Sequence, residues 1–361
     1  MENDWRDKSA PVRPGEELAL EPLEAYLKKN LPDLKGSLSV SQFPAGFSNL
    51  TYLVTVGDRD LVLRRPPFGV KIKSAHDMGR EYKILSHLVE VYPKVPRPLL
   101  YCQDEIVLGA PFYVMTRLEG VILRPQMPEE MNPPPDVMAR IADSFVENLV
   151  KLHAVDFQAA GLGDLGHLDG YIRRQTEGWA LRYFDARTDD IPEMEEVTNW
   201  LDSNAPVESG AALIHNDYKY DNIVLDPNDW SQITGVLDWE MATIGDPLMD
   251  LGTSLGYWIQ ANDPEEIQAL QFSPTTLPGN LTREELVEKY ERQTGAGVGD
   301  IVFCYVYGLF KLAVIVQQIY ARYKRGYTKD PRFANLTHAV RACGRQAVQA
   351  INRKRIDGLL N

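Results

Sequence analysis

The sequence predicts an α+β protein in two lobes: a small β-rich N-terminal lobe, residues 1–118, and a larger, mainly helical C-terminal lobe, residues 119–361. Three observations carry that expectation. Short β-type runs crowd the first 118 residues around one long helix; helical periods dominate the rest; a β-rich patch, Ala211 to Asp238, interrupts those helices. A length of 361 residues suits two lobes better than one. Hydrophobic residues at 44% and charged residues at 25% are ordinary for a globular chain and exclude a disordered or fibrous one.

Taken in order, Glu16 to Asn30 repeats apolar residues at a helical period (Leu18, Leu20, Leu23, Tyr26, Leu27) and stops before Pro32. Three β-type runs follow, Leu38 to Phe43, Thr51 to Val56 and Asp60 to Arg64, the last two joined by the tight-turn signal Gly57-Asp58-Arg59. His76 to Val89 reads as an amphipathic helix, closed by the prolines from Pro93 to Pro98. Strand signals around Pro98 to Tyr101 and Pro111 to Arg117 complete the first lobe. In the second, a Pro-rich loop leads into a helix over Asp136 to Ala154. Thr282 to Thr294, Asp300 to Arg325 and Asn335 to Arg353 read as helices too. Repeats and low-complexity segments are absent.

Charge and cysteine content narrow the function classes. A net charge of −13 argues against nucleic-acid binding. The basic residues concentrate late: from Lys311 onward there are eleven Lys or Arg against two acids, a solvated helical face or a site for an anionic substrate. Met1 to Lys8 is polar and mixed in charge, unlike a secretory signal. The most apolar run, Tyr305 to Val316, is broken by Lys311 and too short to span a bilayer, so it reads as a buried helix. No membrane partner is therefore expected. Three widely spaced cysteines (Cys102, Cys304, Cys343) suggest neither a disulfide framework nor a zinc site, which fits the cytoplasm. The oligomeric state is not legible.

The chemistry concentrates in His215-Asn216-Asp217-Tyr218-Lys219-Tyr220-Asp221-Asn222, ahead of the apolar Ile223-Val224-Leu225. An Asp followed five residues later by an Asn is the spacing of a kinase catalytic loop. Phosphoryl transfer needs an acceptor for the substrate hydroxyl's proton, the role open to Asp217, and Asn222 can turn its amide oxygen to a metal bridging the phosphates. His215 would brace the loop by hydrogen bonds. Asp238 leaves a second apolar run and is the next metal-ligand candidate, with Glu240 helping a second ion or supporting the first. Such hard oxygen donors suit Mg²⁺. The bland alternative is turn chemistry, since Asp and Asn favour turns.

The run from Leu213 to Gly252 resembles the signature of the aminoglycoside phosphotransferase and choline kinase superfamily. Asp238-Trp239-Glu240-Met241-Ala242-Thr243-Ile244-Gly245-Asp246-Pro247 is similar to the branch of phosphotransferase domains associated with acyl-CoA dehydrogenases. The resemblance extends over roughly Val40 to Arg325 and implies a bilobal protein-kinase-like fold with ATP and Mg²⁺ as cofactors.

Against that template, Ala45 to Tyr52 takes the place of the phosphate-covering loop, where Ser48 or Asn49 would donate to phosphate oxygens. Arg64 stands where related kinases place the phosphate-binding Lys, keeping the charge but changing the geometry. Arg65 should point to the strand's other face as a solvated cation. Glu81 matches the acid that pairs with the phosphate-binding cation, and backbone groups from Thr116 to Leu118 match the hinge that meets adenine. Asp250 would cap a helix while Asp246 supports the catalytic loop, and His153 reads as a packed, hydrogen-bonded histidine. Tyr171, Trp179, Tyr183, Tyr257 and Trp258 are either plain core or the lining of an acceptor pocket.

The leading expectation is thus a kinase that phosphorylates a small hydroxylated molecule, with the nearer branch pointing to a hydroxyacyl-CoA-type metabolite. An aminoglycoside or amino-alcohol acceptor is the alternative; a non-catalytic nucleotide-binding protein is a second one, opposed by the presence of Asp217, Asn222 and Asp238. A protein kinase is disfavoured, because no Asp-Phe-Gly or Ala-Pro-Glu segment brackets an activation loop.

Overall fold

A computed structural model describes residues 5–359 apart from 45–48, 70–76, 126, 129, 271 and 329. The chain divides into two compact units: Met1–Ile122 with Val224–Asp229 and Ile233–Ala242, and Leu123–Ile223 with Trp230–Gln232 and Thr243–Asn361.

The smaller unit is built on a five-stranded sheet of β1 (Leu38–Gln42), β2 (Leu50–Val56), β3 (Arg59–Arg65), β4 (Pro98–Cys102) and β5 (Phe112–Thr116). Its order is β1-β2-β3-β5-β4, every neighbour antiparallel. Alternation makes β2 a strand: Leu50, Tyr52, Val54 and Val56 are buried while the residues between them are half-buried. The hairpin into β3 turns at Gly57, whose φ is +63° and where a Cβ would lie 2.2 Å from the Lys35 carbonyl oxygen. The core beneath holds Tyr52, Leu63, Phe112 and Val114 with Leu23 and Leu27 of α1 (Leu20–Asn30). Between β3 and β4 runs α2 (Met78–Leu88), opened by Asp77, whose side chain accepts the Arg80 N–H. A single turn, α3 (Glu105–Leu108), precedes β5.

Most of the hairpin of strands β7 (Ile223–Leu225) and β8 (Ile233–Val236) also belongs to this unit, although a division at residue 118 assigns it to the second lobe. Backbone pairing is the reason: Val121 and Leu225 exchange N–H···O bonds of 2.9 and 2.8 Å, and Val236 N–H donates to the Lys94 carbonyl at 2.7 Å. Arg65 is a second departure. It is buried, not solvated, with its guanidinium carbon 3.6 Å from the Phe68 ring centroid, and burial lowers its pKa.

The larger unit contains α4 (Pro135–His153), α5 (Tyr171–Ala186), α6 (Pro192–Ser203), the antiparallel pair β6 (Ala212–Ile214) and β9 (Thr243–Gly245), α7 (Pro247–Tyr257), α8 (Glu265–Gln268), α9 (Arg283–Thr294), α10 (Ile301–Lys324) and α11 (Leu336–Arg353). Its axis is α10, against which α7, α11 and α5 pack. Among the described residues α10 is long and apolar enough to cross a membrane by length and composition, yet 78% of its apolar window is buried inside the protein. It is the core helix that the run Tyr305 to Val316 predicts, extended at both ends. Bare backbone lets α7 approach it: a Cβ on Gly308 would lie 2.1 Å from the Gly252 carbonyl oxygen, and one on Gly252 would lie 2.2 Å from that of Cys304.

Several of the basic C-terminal residues are already engaged within the protein. Arg345 pairs with Glu266, Arg332 with Asp330, and Arg325 and Arg341 each donate to a backbone carbonyl at 2.9 Å. The aromatic residues Tyr171, Trp179, Tyr183, Tyr257 and Trp258 are all buried.

Candidate active site

The larger unit positions the loop from His215 to Asn222, which leaves β6. Asp250, one turn into α7 and fully buried, accepts the N–H of His215 at 2.8 Å on Oδ2 and that of Asn216 at 2.6 Å on Oδ1. The next N–H, that of Asp217, meets His215 Nδ1 at 3.3 Å. Behind this, His153 Nε2 lies 3.1 Å from Asp250 Oδ2, and its Nδ1 lies 2.8 Å from the Tyr290 hydroxyl. Burial opposes the charge on Asp250, but His153, His215 and the N–H donors outweigh it and hold its pKa below the usual carboxylate range.

The expected roles of Asp246 and Asp250 are therefore exchanged. With Pro247 as the first helical residue, Asp246 is the N-cap: it accepts the Leu248 N–H at 2.8 Å and the Ser209 hydroxyl at 2.9 Å. Asp250 stands one turn further, faces the interior, and anchors the loop.

Asn216 sits in the left-handed region at φ +65°, which Asn tolerates better than most residues. That turn brings the Asp217 carboxylate beside Lys219, whose Nζ is 3.1 and 3.0 Å from its two oxygens. The Asn222 amide nitrogen donates to Asp217 Oδ2 at 2.7 Å and to its carbonyl at 2.8 Å. With both hydrogens used, the Asn222 oxygen is the end left to meet a cation. Burial disfavours ionised Asp217, yet Lys219 above all overcomes it and keeps the pKa below the ordinary range. Lys219 also stands 4.6 Å from the Tyr257 ring centroid. Sequence reasoning passed over Lys219, though its place two residues after Asp217 was a usable signal. Tyr218 and Tyr220 rivet the loop to the core: the Tyr218 hydroxyl donates to the Phe145 carbonyl at 3.0 Å, and that of Tyr220 to Asn280 Oδ1 at 2.8 Å.

The smaller unit gathers a different constellation around Arg64 on β3. Its guanidinium, 8% exposed, contacts Glu81 of α2 at 3.1 Å, Asp238 at 3.0 Å and Glu240 at 3.3 Å. Burial works against the charge on Arg64, but Glu81 and Asp238 raise its pKa. Asn49 is buried, and its amide donates to Glu240 Oε2 at 2.6 Å, so its side chain already serves this cluster. The Arg80 guanidinium donates to the carbonyls of Glu240 and Ala242, fastening the same segment. Asp238 takes the left-handed conformation, φ +66° and ψ 65°, a costly backbone for a residue with a side chain. Its Oδ1 meets Arg64; its side chain is 32% exposed, and its other oxygen accepts no hydrogen bond among the described residues.

The remaining expected positions divide. Ser48 lies outside the described residues. Thr116 has its N–H engaged by the Arg97 carbonyl at 2.9 Å, because it still belongs to the sheet, so that donor is not available to an adenine ring. Leu118, two residues beyond the strand, makes no backbone hydrogen bond among the described residues, and its side chain lies against Gly235. No group of three or more His, Cys, Asp or Glu among the described residues could hold a metal by itself. Mg²⁺ characteristically needs only one or two protein oxygens beside phosphate and water, and the open oxygens of Asp238 and Asn222 are of that hard type.

Known proteins share this sequence pattern and fold. The sequence pattern of the phosphotransferase enzyme family matches residues 39–283. The chain is 37% identical over 317 residues to acyl-CoA dehydrogenase family member 11 of Gallus gallus, a match covering 84% of this chain and 40% of that protein. It thus spans less than half the length of that relative. A solved structure from Ralstonia eutropha, assigned as an aminoglycoside phosphotransferase, superposes with a TM-score of 0.75 at 29% identity, covering 91% of this chain and 96% of that one. The choline kinase of Cryptosporidium parvum shares the fold at 12% identity, with a TM-score of 0.64 over 94% of this chain and 97% of that one.

Proposed function

Because the chain belongs to the phosphotransferase enzyme family and is a small-molecule kinase acting on an alcohol group, we propose that its donor is ATP with Mg²⁺ and its acceptor a hydroxyacyl-CoA-type metabolite. The observation that carries the reading is the Asp217 carboxylate, held ionised and aimed by a loop whose N–H groups at His215, Asn216 and Asp217 are anchored.

In this proposal Asp217 accepts the proton of the attacking hydroxyl, and Lys219 beside it keeps the carboxylate ionised beforehand. Asn222 and Asp238 are the residues proposed to bind Mg²⁺. Bound there, Mg²⁺ would neutralise phosphate charge and orient the phosphoryl group. Arg64 adds positive charge toward the phosphates, Glu81 orients it, and Glu240 acts indirectly by holding Arg64 and Asn49. Ser48 and Asn49 belong to the phosphate-covering segment, and the free backbone of Leu118 is the better candidate for adenine than Thr116. Most of the rate would come from positioning and electrostatics. Members of this family use ATP, which supports the choice of donor.

The acyl-CoA class is supported by likeness to a protein named for acyl-CoA dehydrogenation. A second reading, an aminoglycoside or amino-alcohol acceptor, draws on the Ralstonia eutropha structure. A cytoplasmic place also belongs to the proposal, supported by three buried, unpaired cysteines.

The test is transfer from γ-labelled ATP with Mg²⁺ across pools of hydroxyacyl-CoAs, aminoglycosides and choline-like alcohols, with Asp217→Ala alongside. Label should enter the hydroxyacyl-CoA pool and fall by roughly 10²–10⁴-fold in the variant. Label in the aminoglycoside pool instead would replace the substrate class. Absence of ATP binding would sink the kinase reading.

A further inference from the structure

We propose that Lys311, on the core helix α10, is a positioning residue that aims Asp217 by gripping the carbonyl of the peptide bond joining Asn216 to Asp217. This rests on the reading of Asp217 as the proton acceptor.

Lys311 is the single charge within the run Tyr305 to Val316 and is 1% exposed. An ammonium so placed is costly unless something compensates it. Among the described residues no carboxylate comes within ion-pair distance. Its Nζ instead lies 2.6 Å from the Asn216 carbonyl oxygen and 3.5 Å from Asn216 Oδ1, with the Trp179 ring centroid 5.7 Å away. A buried cation directed at one loop carbonyl has no evident value to packing, since a Leu or Met would fill the helix more cheaply.

The placement of that carbonyl gives the cation its use. The Asn216–Asp217 peptide is held at both ends: its oxygen by Lys311, its N–H by His215 Nδ1 at 3.3 Å. The two preceding N–H groups are fixed by Asp250. Rotation of that peptide would swing the Asp217 side chain, and the left-handed Asn216, φ +65°, is a conformation that persists only when its surroundings over-determine it. Lys311 supplies the anchor from α10 that Asp250 supplies from α7, and the close contact of those helices through Gly252 and Gly308 keeps the two anchors in register.

The charged groups facing Lys311 are Asp217 and Lys219 from the loop, Asp250 from α7 and Arg182 from α5. Burial pushes its pKa down to about 8, only partly offset by the two carboxylates. The grip should therefore weaken at alkaline pH, as the ammonium gives way to a neutral amine, a poorer donor.

The experiment uses the full chain, with γ-labelled ATP, Mg²⁺ and the hydroxyacyl-CoA pool, and compares wild type with K311M, K311R and D217A between pH 6 and 10. K311M should lose about 100-fold in kcat, the scale of a misaimed catalytic group, with KM for ATP within about twofold of wild type. Wild-type activity should decline above a pH of about 8; K311R should recover part of kcat and move that decline upward, because a guanidinium stays protonated. A K311M enzyme with wild-type kcat, alongside an inactive D217A, overturns the inference and leaves the kinase reading standing. An active D217A overturns the reading beneath it. Should K311M fail to fold, K311R decides: an alkaline decline identical to wild type overturns the proposal.

Discussion

The Asp217 loop and the Arg64 cluster each bring acidic and basic groups together, but they are held by different means. In the loop, Asp250 and His215 grip three consecutive backbone N–H groups, so the chain itself is clamped before any side chain is placed. Around Arg64 the contacts run between side chains: three carboxylates at 3.0 to 3.3 Å from one guanidinium. A clamped peptide has one orientation. A cluster of charges on long side chains can redistribute when another charge arrives. The difference matches the proposed tasks, since a proton acceptor must be aimed within fractions of an ångström, whereas a phosphate-binding group must accommodate a change in charge.

The comparison is broken or sharpened first at Asp250. Asp250→Asn keeps the shape but removes the charge that faces two N–H groups and His153. We expect kcat to fall by roughly 10²-fold and unfolding free energy by about 3 kcal/mol, the scale of losing one partner from a buried charged network. Steady-state turnover and urea unfolding check both, and full activity in this variant would remove the loop's claim to being clamped by backbone.

Arg64→Lys should do less. A point charge can approach Glu81 or Asp238 but lacks the fork that meets both. An increase of about tenfold in KM for ATP, equal to about 1.4 kcal/mol, with a smaller change in kcat, would mark a cluster that tolerates rearrangement. Loss of all turnover in an otherwise folded variant would show instead that its geometry is as strict as the loop's.

The smallest effect lies in pH. The folded pKa of Asp250 is lowered, so its stabilisation is complete above the unfolded value of about 3.9 and fades as pH falls through the lower folded value. The stability gap between wild type and D250N should be flat above about pH 5 and narrow below about pH 4. Urea midpoints across that range test it, and a gap that widens on acidification contradicts the assignment.

Much of the site was legible because its residues are close in sequence: Asp217, Asn222 and Asp238 fall within one run beside apolar strands. Local periodicity likewise marked β2, β3, α2, α4 and α10. The misreadings occurred where distant segments decide. Arg65 looked solvated until Phe68 covered it. Asp246 and Asp250 are both plausible caps by spacing, and only the start of α7 at Pro247 separates them. The Thr116 N–H is taken by the Arg97 carbonyl, which pattern alone does not show.

By itself, then, the sequence determined the α+β class, the loop motif and the identity of its proton acceptor candidate, because these depend on the spacing of neighbours along one chain. Tertiary structure alone decided what anchors them. Asp250 reaches His215 across 35 residues, Lys311 reaches Asn216 across 95, and Arg64 reaches Asp238 across 174. Burial and partnership of that kind arise only when separated segments exclude water from one another, and no local pattern records which segments those will be.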